Sequence, residues 1–198
     1  KAELEVVPDK ITLNVQLSET DNRTRTPLEE REKQLMTKLA ESGVNVVKNV
    51  KVKDQMSSFQ SRVFSKDIVQ KKEYLVTVAD AATVQRVFAN LEAIGISNVS
   101  VYKLENSKIE QHRKDVKAKA IKAAQEKARS LAEAVGQTVG KAIYVQEINF
   151  YPSVAMQSNV LQRANVIGYG VTDKAEDLNY EFQNLKVEST ILCRFELK

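Results

Sequence analysis

Leu39-Ala40-Glu41-Ser42-Gly43-Val44-Asn45-Val46-Val47 and Leu91-Glu92-Ala93-Ile94-Gly95-Ile96-Ser97-Asn98-Val99 are two copies of one pattern. In each, a Leu precedes a Gly by four residues, a β-branched residue follows the Gly, and a Val comes three positions later. Glycine closes a helix in the left-handed region without a Cβ penalty. Each copy therefore reads as a helix ending and a strand beginning.

The segments around the two copies complete the pattern. Ile11, Leu13, Val15 and Leu17 alternate with Lys10, Thr12, Asn14, Gln16 and Ser18, the period of a half-buried strand. Thr20 to Arg25 is polar turn material. Thr26-Pro27-Leu28-Glu29 reads as a helix start, with Thr as N-cap, Pro at the first helical position and Glu closing a capping box. Leu28, Leu35 and Leu39, with Met36 beside them, supply its apolar stripe. Val44 to Val52 is expected as the second strand, and the polar stretch Asp54 to Asp67 breaks the pattern. A third strand runs from Ile68 to Val78, with Tyr74, Val76 and Val78 in phase. Asp80 caps the next helix, whose stripe is Val84, Val87, Phe88 and Leu91. Val99 and Val101 mark a fourth strand. Two successive strand-helix-strand units predict a ferredoxin-like βαββαβ layer over residues 1–105, with both helices on one face of an antiparallel sheet.

Residues 106–198 read differently. Asn106 or Ser107 opens a third helix, with Ser107 and Glu110 as a capping box, and no breaker follows until Gly136. At ~1.5 Å per residue such a helix is roughly 45 Å long. Its apolar positions are Ile109, Val116, Ala120, Ala124, Ala128, Leu131 and Val135. The alanines allow close backbone approach to a sheet or a partner helix. Arg113 and Lys117 fall inside the stripe, which predicts that the first turns are less buried and bridge two lobes. Val139 to Ile148 is a fifth strand, with Ile143 and Val145 on one face and Tyr144 on the other. The last strand is the clearest: Leu185, Val187, Ser189, Ile191, Cys193, Phe195 and Leu197 share one face. Cys193 is expected there as a buried core thiol. The whole is α+β: the layer, then a long Ala-rich helix and two further antiparallel strands, with the first strand open to sharing between the lobes.

The excursion over 149–182 has no sustained period. It contains Pro152, Gly168-Tyr169-Gly170 and five of the twelve aromatic residues: Phe150, Tyr151, Tyr169, Tyr180 and Phe182. Loops this long in compact domains are usually functional or disordered. These aromatics are candidates for a subunit contact or a ligand cover, against the simpler reading of a loop packed on its own lobe.

Composition removes many chemistries. One Cys and one His, among 198 residues, exclude a disulfide framework, a Cys-based zinc site and a His-cluster metal site. There is no GxGxxG, Walker loop or GxSxG, and no catalytic residue or cofactor is assigned. His112 sits in a charged run and has no assigned role. No apolar run reaches the roughly 18–20 residues of a membrane-spanning helix. Lys1-Ala2-Glu3 does not read as a signal peptide, which says little about compartment.

The formal net charge of +4 has a local source. Between Ser107 and Arg129 stand eight basic and three acidic residues. Lys108, Lys114, Lys119, Lys122 and Arg129 project away from the apolar stripe, but Asp115, Glu126 and Glu133 share that face. Mixed signs describe a solvated helix back. Membrane-surface helices oppose their basic face with Trp, Phe or Leu, and this one opposes it with Ala. Nucleic acid is therefore not an expected partner. Polyanion or anionic-lipid binding through helix 107–129 stands as an alternative, beside a small-molecule or enzyme pocket under the 149–182 loop.

Val7-Pro8-Asp9 introduces the first alternating strand. Later come Ala120-x3-Ala124-x2-Lys127-Ala128-x2-Leu131-Ala132 and Gly136-x3-Gly140 leading to a strand, and the chain closes on an alternating strand. In that order the pieces resemble the SIMPL-domain family, which includes periplasmic immunogenic and oxidative-stress-defence proteins of Gram-negative bacteria. The resemblance spans Val6 to Leu197. It departs at the third strand, where Glu73-Tyr74 keeps only the Tyr of a frequent Gly-Tyr pair. Pro8, Asp9, Ala120, Ala124, Lys127, Ala128, Leu131, Gly136 and Gly140 match motif positions and read as structural. The resemblance implies a periplasmic, envelope or secreted location, no established enzymatic activity and a tendency to form large homo-oligomers. The family has no agreed catalytic residues, so none is carried over. The expectation is a non-enzymatic envelope scaffold or interaction module linked to stress defence.

Overall fold

The computed structural model describes residues 1–19, 26–62, 65–148 and 182–198. Their order is β1 (Ala2–Val6), β2 (Lys10–Ser18), α1 (Leu28–Glu41), α2 (Val46–Asn49), β3 (Val50–Arg62), β4 (Ser65–Val78), α3 (Ala81–Glu92), β5 (Val99–Glu105), α4 (Ile109–Ala134), β6 (Val139–Ile148) and β7 (Leu185–Leu197). The protein is α+β, with two antiparallel sheets and four helices among the described residues. These elements form two compact units.

One unit holds residues 8–105 together with 182–183. Its sheet has the order β3-β4-β2-β5, and every neighbouring pair is antiparallel. Ile11, Leu13, Val15 and Leu17 of β2 and Tyr74, Val76 and Val78 of β4 point to one face. Leu28, Leu35 and Leu39 of α1 and Val84, Val87 and Leu91 of α3 pack there in a single cluster. Each such side chain taken out of water contributes about 1.5–3 kcal/mol before the entropy of ordering is counted.

The repeated helix exits form the same structure twice. Gly43 has φ +88° and Gly95 φ +70°. The Val44 N–H donates to the Leu39 carbonyl at 3.0 Å, and the Ile96 N–H to the Leu91 carbonyl at 2.9 Å. This six-to-one bond across a left-handed glycine satisfies a carbonyl that the last helical turn leaves open. Val44 and Ile96 then turn inward and are buried with Leu39 and Leu91. The Asp80 cap is present, its Oδ1 accepting from the Thr83 N–H at 2.7 Å.

Several local expectations are corrected. α1 begins at Leu28 with Pro27, not Thr26, at the N-cap position, so the helix starts one residue later than the expected cap placed it. The expected strand at Val44 starts only at Val50, because Asn45 caps the short helix α2 by accepting from the Lys48 N–H at 3.1 Å. The polar stretch Asp54 to Asp67 does not interrupt the sheet. β3 and β4 stay paired from Val50 opposite Val76 to Arg62 opposite Ser65. β2 follows β4 only as far as Lys71, so the ribbon beyond has two strands. Its pairing is made by the backbone, which does not demand apolar alternation.

The other unit holds residues 1–7, 106–148 and 184–198. Its sheet has the order β1-β7-β6. β1 went unread in the sequence because five residues are too short a run to show a period. It pairs with β7 from Ala2 opposite Ser189 to Val6 opposite Leu185, while the alternating strand β2 pairs only with β4 and β5. Val6, Val116 and Val187 form the core of this unit, with Leu4, Ile109 and Leu185 against it.

α4 has 26 residues, about 39 Å at 1.5 Å each. Its N-cap position is Lys108, whose own side chain makes no capping hydrogen bond. Asn106 serves instead: its Oδ1 accepts from the Lys108 N–H at 2.8 Å and its Nδ2 donates to the Val7 carbonyl at 2.8 Å. No residue of 109–115 is buried, and the stripe departs from the expected one in its second half. Val116 and Ala120, in the first half, are fully buried, whereas Leu131 is 62% exposed and Val135 lies in solvent. The inward residue of the last turns is Ala132. Arg113 and Lys117 lie outside the buried stripe and are exposed. Cys193 is half-buried, not buried, because α4 lies over β7 and β1 and leaves the Cys193 end of the sheet thinly covered.

Candidate functional site

Most of the matched motif positions serve the fold. Pro8 is buried, and the Asp9 N–H donates to the Glu105 carbonyl at 3.1 Å. Ala120 is fully buried and Ala124 and Ala128 are half-buried, so the alanine seam is the helix's inner face. Lys127 and Leu131 point outward. Gly136 takes φ +75°, and the Gln137 N–H donates to the Ala132 carbonyl at 2.9 Å, the third use of the same helix exit. Gly140 is needed for another reason: a Cβ there would stand 3.2 Å from Glu196 Cβ.

Of the aromatic candidates, Phe150, Tyr151, Tyr169 and Tyr180 lie outside the described residues, as does Gly168-Tyr169-Gly170. Phe182 is described and packs half-buried against the core of the four-stranded unit. This end of the excursion thus packs on the four-stranded unit, and not on the lobe of residues 106–198 to which the sequence reading assigned it.

On α4 the basic residues sit among acidic partners. Lys117 pairs with Glu147 at 2.9 Å, Arg113 pairs with Glu110, and Gln111 donates to Asp115 at 2.9 Å. Such exposed pairs contribute little stability. They do lower the field that a polyanion would meet there.

The least satisfied surface is β6. It hydrogen-bonds to β7 on one side, and its other edge has no strand partner among the described residues. An uncovered edge presents a row of backbone donors and acceptors. Lys141 and two register shifts interrupt β6 before Tyr144, and from Tyr144 to Ile148 its one charge is Glu147. Val145, opposite Cys193, faces the α4 side and is 53% exposed; Ile143, in the irregular stretch before Tyr144, is 62% exposed. On the reverse face Tyr144, Ile148 and Leu192 are exposed together. The Arg194 guanidinium lies 5.2 Å from the centre of the Tyr144 ring. The sequence reading placed the strand, with Ile143 and Val145 on one face and Tyr144 on the other, and did not say which face is covered. The signal that the Val145 face is uncovered is the length of α4's partner surface: one helix spans two strands at most.

A polar cluster lies inside the four-stranded unit. Tyr74 donates its hydroxyl to Glu32 Oε1 at 2.6 Å, and Lys72 Nζ reaches Glu32 Oε2 at 2.8 Å. The Lys72 hydrogen bond, and after it that of Tyr74, holds the Glu32 carboxyl below its ordinary range. Burial, and then Glu32, pushes the Tyr74 hydroxyl up. Both groups are thereby fixed in their ordinary charge states, which suits an anchor between α1 and β4 better than proton transfer. Among the described residues no group of three or more His, Cys, Asp or Glu could hold a metal, and no helix is long and apolar enough to cross a membrane.

The family model for SIMPL, described as a protein of unknown function (DUF541), matches residues 1–195. No characterised protein matches the chain in sequence.

Proposed function

We propose, from the premise that the chain belongs to the SIMPL family, that it is a non-enzymatic scaffold or interaction protein of the cell envelope. It assembles with copies of itself through β6. The observation that carries this reading is the open β6 edge with Ile143 and Val145 beside it. A second β6 laid against the first would pair the open backbone groups and bury those side chains in one step.

The ferredoxin-like reading of the four-stranded unit belongs to the same proposal. It is supported by the element order β2-α1-β3-β4-α3-β5 and the strand order β3-β4-β2-β5. The envelope location and the link to oxidative stress rest on the family resemblance alone.

Sedimentation velocity over a range of concentrations tests the assembly. A species larger than the monomer is expected, and a strict monomer at high concentration overturns it. Fractionation of cells producing the natural precursor tests the location. Survival of cells lacking the protein under peroxide tests the stress role.

A further inference from the structure

We infer that the face of the four-stranded sheet opposite its helices holds a site for a compact polyanion bearing phosphate groups, with Lys48 and Lys51 as its principal contacts. This goes beyond self-assembly and uses a different unit of the protein.

The helices α1 and α3 occupy one face of that sheet. On the opposite face a groove of about 340 Å³ runs over the strands. That is near the lower limit of small-molecule sites. Four lysines line it, Lys10, Lys48, Lys51 and Lys103, against one carboxylate, Glu105. Lys10 and Lys103 stand 3.5 Å and 2.8 Å from that carboxylate. Lys103 foremost, with Lys10 behind it, holds the Glu105 carboxyl below its ordinary range, so the groove is already a positive environment.

Lys48 and Lys51 have no such neighbour. Among the described residues no carboxylate lies within 4.0 Å of either ammonium. Their backbones are nevertheless held. The Lys48 N–H is bound by the Asn45 cap, and Lys51 is paired with Leu75 in the β3–β4 ladder. Two cations without a carboxylate partner among the described residues thus line one groove with two others, on backbones that are held in place. Thr12 and Thr77, opposite each other in register, add hydroxyls to the lining.

The chemistry selects the ligand class. An ammonium is a compact charge with three donors and suits phosphate oxygens. A single monovalent anion engages one lysine, whereas a short chain of phosphates reaches several. An extended nucleic acid fits less well, because the lining offers one aromatic ring, Tyr102, and the Lys53 ammonium already sits 5.2 Å from its centre. Base stacking on a sheet needs open rings.

Calorimetric titration of the whole chain with sodium tripolyphosphate at low salt tests the inference. Saturable binding at one site is expected, weakening as salt rises. In the double variant Lys48→Gln/Lys51→Gln the affinity falls about tenfold or more. In Lys119→Gln/Lys122→Gln on α4 it is unchanged. All four side chains are exposed, and circular dichroism confirms that each variant is folded. Absence of binding at low salt overturns the site. So does equal weakening in both variants, which marks diffuse attraction. Binding of a single-stranded oligonucleotide that tightens with its length, and exceeds that of tripolyphosphate, replaces the compact ligand with a nucleic acid.

Discussion

Arg31 of α1 donates from Nη2 to the carbonyl of Gly95, the glycine that ends α3, at 3.2 Å. The tie is returned. Arg86 of α3 donates from Nε to the carbonyl of Ser42 at 3.3 Å, and Asn90 donates to the Ser42 hydroxyl at 2.8 Å. Each repeated helix thus reaches the exit of the other. A cation at a helix C-terminus meets both open carbonyls and the negative end of the helix dipole. Arg31 does so while only 1% exposed.

Arg31→Ala is expected to lower the unfolding free energy by about 2–4 kcal/mol, from the lost charged hydrogen bond and the cavity left behind. Arg86→Ala, at an exposed position, costs about 1 kcal/mol or less. Urea denaturation measures both. Equal losses would show that the two ties do not differ through burial.

Gly43→Ala forces a Cβ into φ +88° and costs about 1–2 kcal/mol, although the added carbon has open space beyond the Arg86 side chain at 3.9 Å. The cost is backbone strain and not crowding. Gly43→Asn therefore recovers part of it, since Asn tolerates the left-handed region. Thermal unfolding of the three proteins provides the ranking.

Acid stability depends on the Glu32 carboxyl. Its folded pKa is depressed below the ordinary 4.5. Its contribution is therefore complete above about pH 4.5 and is lost as pH falls through the folded value. Tyr74→Phe removes one donor to that carboxylate, costs about 1 kcal/mol at neutral pH, and moves the acid transition upward. The alkaline side has the opposite sign. The Tyr74 hydroxyl is raised above its ordinary 10.0. Its contribution is full below about pH 10 and is lost as pH rises through the folded value. The difference between the natural protein and Tyr74→Phe should shrink there. Urea melts across pH read both effects, and a constant difference would contradict them.

The α4 seam separates two substitutions. Ala120 is fully buried, so Ala120→Leu costs about 1–3 kcal/mol by overpacking. Leu131→Ala, at a solvent-facing position, stays within about 0.5 kcal/mol. Denaturation midpoints test the contrast, and a larger loss for Leu131→Ala would show that this end of the helix is covered in solution.

Val145→Lys places a charge on the β6 edge without touching either core. It is expected to shift the sedimenting species toward monomer and leave the melting profile of the monomer nearly unchanged. Unaltered assembly would move the contact elsewhere.

Much of this architecture lies within reach of local patterns. The left-handed glycines 43 and 95, the Asp80 cap, the inward parity of Ile11 to Leu17 and the course of β7 follow from neighbours within a turn or a strand. Backbone sterics and side-chain period act at that range. The family also was readable, because it resides in the order of such pieces.

What remained was decided by partners distant in sequence. Whether Ala2 to Val6 is a strand depends on β7, some 180 residues away along the chain. The ladder through polar Asp54 to Asp67 is held by backbone pairing that ignores side-chain polarity. Which stripe of α4 is buried depends on where β1 and β7 lie, so Val116 goes inward and Leu131 outward despite similar hydropathy. The groove of Lys10, Lys48, Lys51 and Lys103 joins residues up to 93 positions apart, whose positions share no local period. Local sterics belong to the sequence alone; coverage, exposure and the meeting of charges belong to the tertiary structure, because each is a property of two surfaces and not of one segment.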